Sequence, residues 1–201
     1  MPWVGEVLKQ TQAQSCGYCC VGMVANLLDH GKPEENRLVA AGKRLNPHAY
    51  DRAAKDRVGA KRTLIVSAAR EEFGQIPHWG SGTYGTHLAN LLKTEFRIDA
   101  VYRTQGPKGT LRRVSRKRPV IALVLWEGGG GHWVCVSQRT TRGLGRASKY
   151  TVLDPSGYVV TNRGSTNYAD HDSNRAVFAS HFVEVKGNLP PAPRGRKLPG
   201  M

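Results

Sequence analysis

Apolar positions recur at helical spacing in the first half of the chain and in short runs in the second. Between residues 17 and 30, Cys20, Met23, Val24, Leu27 and Leu28 follow the i, i+3/i+4, i+7/i+8 rhythm of a helix with one buried face. Ser15 stands where an N-cap belongs and Gly31 where such a helix can stop. The stretches 34–45 and 64–73 predict further helices, and after Thr86, placed to cap, Leu88, Leu91, Leu92 and Phe96 form another apolar stripe. From residue 98 the pattern changes. Segments 98–103, 120–126, 132–138, 149–153 and 182–186 are short, rich in β-branched or aromatic residues and bounded by Gly, Pro or Ser, as strands are. Residues 110–118 predict a short basic helix before Pro119. Helices followed by mostly antiparallel strands predict an α+β architecture, a helical N-terminal half packed against a sheet with a cleft between them.

A chain of 201 residues suits one domain, which we place at 1–187. The remainder, 188–201, holds four prolines, two glycines and three basic residues, and is expected to be a flexible tail because it has too little apolar surface to offset the entropy of ordering. No window approaches the roughly 18 apolar residues of a membrane span, and the N-terminus lacks a basic region followed by an apolar stretch. Cys16, Cys19 and Cys20 are clustered and Cys135 lies far downstream, a layout that suits free thiols in a reducing cytoplasm better than a disulfide framework. The net charge of +15 predicts attraction to something acidic: a protein inhibitor or a substrate associated with nucleic acid.

The chemistry concentrates at three places. A cysteine nucleophile gains from the first turn of a helix, whose unpaired N–H groups and dipole favour the thiolate, and Cys16 occupies that position. Cys19 and Cys20 lie on or beside the buried stripe and read as small core residues. Four glycines, 128 to 131, precede His132 at the start of a strand; they admit a close approach of backbone or substrate, and Trp133 is expected to cover the imidazole from the adjacent position. The following strand ends in Asp154, which Pro155 and Gly157 leave at the strand tip, where a carboxylate can hold the second ring nitrogen of a catalytic histidine. Gln10, with Gln12 and Gln14 as rivals, can place a side-chain N–H beside the Cys16 backbone N–H as an oxyanion hole. Each residue alone has a plainer reading: a core histidine, or an aspartate that simply turns the chain.

Taken in order, Gln10, Ser15-Cys16-Gly17, Gly131-His132-Trp133-Val134 and Leu153-Asp154-Pro155-Ser156-Gly157 resemble the papain-like cysteine peptidases of the C39 type, which include peptidase domains of bacteriocin-exporting transporters and related bacterial effector and toxin domains. The resemblance runs from about residue 10 to 157. It implies a papain-like fold and the roles of nucleophile for Cys16, base for His132, orienting group for Asp154 and oxyanion donor for Gln10. The residue before the nucleophile is often acidic in that family and is Ser15 here. The resemblance also implies a narrow substrate channel and cleavage after paired glycines, with Trp79, Tyr84, Gly131 and Trp133 as candidate walls. No cofactor and no metal are called for.

The reading is therefore a monomeric bacterial cysteine endopeptidase, a toxin or effector domain that acts on a protein in a reducing cytoplasm, with an acidic immunity or inhibitor protein as the partner suited to its charge. Absence of a signal, a pro-segment and an attached transporter from this sequence is what an isolated effector would show. Other readings use the same residues. The fold could serve an amidase or an acyl transferase, or the chain could be a non-catalytic basic module binding through Arg112, Arg113, Arg116, Lys117 and Arg118. A zinc site from Cys16, Cys19, His132 and Cys135 is disfavoured, since His132 and Cys135 point to opposite faces of a strand.

Overall fold

A computed structural model describes residues 3–12, 14–45, 83–127, 130–141, 148–164 and 167–189. The helix expected at 64–73, Trp79 and the tail beyond residue 189 lie outside the described residues. The chain is α+β. Four helices, α1 (Cys16–Leu27), α2 (Glu35–Leu45), α3 (Gly85–Phe96) and α4 (Pro107–Leu111), and nine strands, β1 (Trp3–Val4), β2 (Val7–Leu8), β3 (Ile98–Thr104), β4 (Val120–Trp126), β5 (Gly131–Thr140), β6 (Lys149–Asp154), β7 (Tyr158–Arg163), β8 (Asn167–Ala169) and β9 (Arg175–Asn188), make up the described residues. Among them no helix is long and apolar enough to cross a membrane.

Strands β3, β9, β4, β5, β6 and β7 lie in that order in one antiparallel sheet, with β8 paired to β9. The central strand β4 explains its own sequence. Its run Val-Ile-Ala-Leu-Val-Leu sends Ile121, Leu123 and Leu125 to the face packed by α1, α2 and α3, and Val120, Ala122 and Val124 to the other face with Val134, Tyr150 and Phe182. A strand covered on both sides has no use for polar alternation. β9 is longer than the expected 182–186 because Ser180 and His181 interrupt its apolar run without ending the strand, His181 pairing with Thr104. His181 meets the Tyr102 hydroxyl, and Glu184 accepts from Gln105 and from Lys186 Nζ at 2.5 Å. A register shift between Ala122 and Val124 marks a bulge where β9 bends.

Three local expectations are corrected. The helix beginning near Thr86 starts instead at Gly85, with Tyr84 at the N-cap and no side-chain cap. A Cβ at Gly85 would run into the Tyr102 ring and come within 3.3 Å of Trp133, so glycine lets this helix start flush on the sheet. The basic helix expected at 110–118 is a single turn, Pro107–Leu111, started by Pro107; beyond it only Val114 is buried, and exposed Arg112, Arg113, Arg116, Lys117 and Arg118 leave no apolar face to hold a helix. Ser15 does occupy the N-cap position of α1, but its side chain makes no capping bond. Its hydroxyl lies instead 2.9 Å from the Gln12 carbonyl and 2.5 Å from a Glu35 carboxylate oxygen.

Candidate active site

Three element ends meet at one end of the sheet: the first residue of α1 is Cys16, β5 opens with Gly131 and His132, and β6 closes with Asp154. The hairpin between β4 and β5 pairs Val124 with His132, and β6 pairs with β5, so the imidazole and the carboxylate arrive on neighbouring strands. The loop leading to Cys16 is fastened to the same corner, because the Gln10 N–H donates to the Pro155 carbonyl at 2.7 Å. Gly157, at φ +108°, closes the turn after Asp154, its N–H donating to the Asp154 carbonyl at 2.9 Å.

His132 Nε2 lies 2.9 Å from Asp154 Oδ1, with side-chain exposures of 15% and 1%. That bond occupies Nε2, and Cys16 lies close enough to His132 to favour the charged ring. Burial works against a charged imidazole here, but the hydrogen bonds and charges of Asp154 and Cys16 outweigh it and carry the His132 pKa up to about 10. Asp154 is likewise penalised by burial, yet His132, then Ser156 and Tyr168, bring its pKa down to about 2. The Ser156 N–H donates to Oδ1 at 2.8 Å, its hydroxyl donates to the same oxygen, and the Tyr168 hydroxyl donates to Oδ2. Oδ1 thus meets three donors and Oδ2 one among the described residues. Cys16 itself is 8% exposed.

Cys19, Cys20 and Cys135 are fully buried, and burial first, then neighbouring negative groups, pushes each thiol upward in pKa. They belong to the core beneath the site; Cys20 donates its S–H to the Trp133 carbonyl at 3.3 Å. Of the three glutamines, Gln10 donates one side-chain N–H to the Gln12 carbonyl at 2.7 Å and has a second to offer. Gln12 reaches away to Asn36 Oδ1 at 2.7 Å, and Gln14 sits in the left-handed region at φ +67°.

The expectation that Trp133 covers His132 is corrected. Strand alternation sends it to the opposite face, where it is 5% exposed under α1, donates its indole N–H to the Thr83 carbonyl at 2.8 Å and packs so closely that a Cβ on Gly17 would lie 3.2 Å away. The ring over His132 is Trp126, with centroids 6.0 Å apart and planes at 28°, and Trp126 leans on Tyr168 in turn. Neither Trp126 nor Tyr168 was found from the sequence. Trp126 could have been, since any hairpin joining 120–126 to His132 brings the strand end beside it; Tyr168, in a three-residue strand, carries no such signal. Gly131 is exposed at the mouth of β5. Tyr84, with Leu45, Thr86, His87, Asn90 and Thr94, borders an open pocket of about 260 Å³ that is lined by none of Cys16, His132 and Asp154.

No protein-family model matches the chain, and no curated protein matches its sequence.

Proposed function

We propose that this chain is a cysteine endopeptidase of the papain-like, C39-like kind, with Cys16 as nucleophile, His132 as acid and base, Asp154 as the group that orients His132, and Gln10 with the Cys16 backbone N–H as oxyanion donors. The observation that carries the reading is the His132 ring itself, bonded through Nε2 to a buried carboxylate at 2.9 Å and close enough to Cys16, the first residue of a helix, for that cysteine to favour the charged ring. A protonated imidazole beside such a sulfur is the setting in which cysteine attacks as its thiolate.

The sulfur adds to the scissile carbonyl carbon, and the carbonyl π pair moves onto oxygen, where the two N–H donors receive it. As the C–N bond breaks, the imidazolium passes its proton to the leaving amine. Neutral His132 then takes a proton from water, the hydroxide displaces the sulfur from the acyl group, and the thiolate–imidazolium pair is restored. Asp154 keeps its charge throughout and holds the ring in one orientation. Exposed Gly131 beside His132 and the ring of Trp126 over it support a narrow approach suited to small residues before the cut, glycines included. The net charge of +15 supports an acidic protein as substrate or inhibitor.

The test is mass spectrometry of new N-termini in a bacterial protein extract exposed to wild type or to Cys16→Ala. Termini that appear only with wild type, with glycine enriched before the cut, are expected. Identical termini in both samples would remove the peptidase reading.

A further inference from the structure

Glu35, the first residue of α2, is 2% exposed, and a buried carboxylate is costly unless donors surround it. Here Thr11, Gln12 and Ser15, from one loop, supply them. The Thr11 N–H lies 3.0 Å from both carboxylate oxygens and the Gln12 N–H 3.0 Å from one of them; the Thr11 hydroxyl donates to Oε2, and the Ser15 hydroxyl lies 2.5 Å from Oε1. No Lys, Arg or His forms an ion pair with Glu35 among the described residues. Burial opposes the charge, and the bonds from Ser15, Thr11 and Gln12 overcome it and hold the carboxyl below its ordinary pKa. Among the described residues the charge therefore orders a stretch of backbone.

What that stretch carries gives the clamp its meaning. Its two ends are Gln10 and Cys16, the two proposed sources of oxyanion N–H groups, and between them the chain passes through a left-handed residue, Gln14, at φ +67°. Beyond Gln10 the loop is tied to the Asp154 turn by the bond to Pro155. An oxyanion hole stabilises developing charge only to the extent that its donors are already in place. We propose that Glu35 is a positioning residue which, without touching substrate, the Cys16 sulfur or the imidazole, sets the spacing between the Gln10 side chain and the Cys16 backbone N–H through the loop that carries Thr11, Gln12 and Ser15. This role rests on the peptidase reading.

The experiment compares wild type with Glu35→Gln, using Leu38→Ala, a buried change on the same helix, as a control for lost stability. Three quantities are read: amide hydrogen exchange at Thr11 and Gln12, kcat and KM on a peptide that wild type cleaves, and the pH profile of Cys16 alkylation by iodoacetamide. Glu35→Gln is expected to speed exchange at those two amides by about tenfold or more while α1 stays protected, to lower kcat about 10- to 100-fold with KM changed by less than about threefold, and to leave the alkylation profile in place because the His132–Asp154 pair is untouched. Leu38→Ala should keep its kcat. If Glu35→Gln does not fold, Thr11→Val and Ser15→Ala each remove one arm of the clamp and should lower kcat by about threefold to tenfold. An active wild type whose Glu35→Gln variant, or failing that whose single-arm variants, keep kcat overturns the role of Glu35 alone; a wild type without Cys16-dependent cleavage overturns the peptidase reading beneath it.

Discussion

Two buried carboxylates flank the start of α1, and they hold different kinds of group. Asp154, on the sheet side, grips an ionisable ring, His132, with help from Ser156 and Tyr168. Glu35, on the helix side, grips neutral N–H and O–H donors of Thr11, Gln12 and Ser15. Both have pKa values held below the ordinary carboxylate range against the penalty of burial, so both contribute stability above their unfolded values, 3.8 for Asp154 and 4.5 for Glu35, that is lost as pH falls through the lower folded value. His132 runs the other way. Its raised pKa contributes stability in full below 6.5, and that contribution is lost as pH rises through about 10. On the proposed reading one carboxylate governs a proton and the other a shape, and removing each should leave a different trace.

The largest effect is expected at the proton. Asp154→Asn should lower kcat by about 10⁴-fold, and the alkaline limb of kcat/KM, expected near 10 in wild type, should move down toward the ordinary histidine value of 6.5. A Glu35→Gln profile showing the same displaced limb would erase the contrast between the two carboxylates. Next, Gln10→Ala should cost about 100- to 1,000-fold in kcat with KM little changed, measured on the same peptide; a loss confined to KM would separate the loop from the oxyanion. The smallest effect belongs to the support of Asp154. Tyr168→Phe removes one donor to a charged group in the core and should lower stability by about 1.5–3 kcal/mol, with the acid-unfolding midpoint moving to higher pH, as followed by circular dichroism.

Much of the architecture was legible because burial imposes it on each segment locally. The one-sided stripe of α1 and the unbroken apolar run of β4 follow from the surfaces they face, and the α+β order of elements follows from those patterns. Elements with weak apolar signals were not legible. β1 and β2 contain two residues each, β7 is mostly exposed and β8 spans three residues. The three triad candidates were visible since each sits beside a local marker: Cys16 at the start of an apolar stripe, His132 after four glycines, Asp154 before Pro-Ser-Gly. Trp133 misled for the same local reason, because adjacency in sequence on a strand means opposite faces in space.

The sequence by itself determined which residues could react and which stretches had to be helix or strand, since these depend on side-chain chemistry and on spacing within a few turns of chain. Only the tertiary structure decided what stands beside the reacting groups: Trp126 over His132, Tyr168 under Asp154, Glu35 behind the loop before Cys16. Those neighbours come from distant positions and carry no pattern of their own, because a hydrogen bond between segments depends on where packing brings two backbones together, and nothing in either segment alone encodes that meeting.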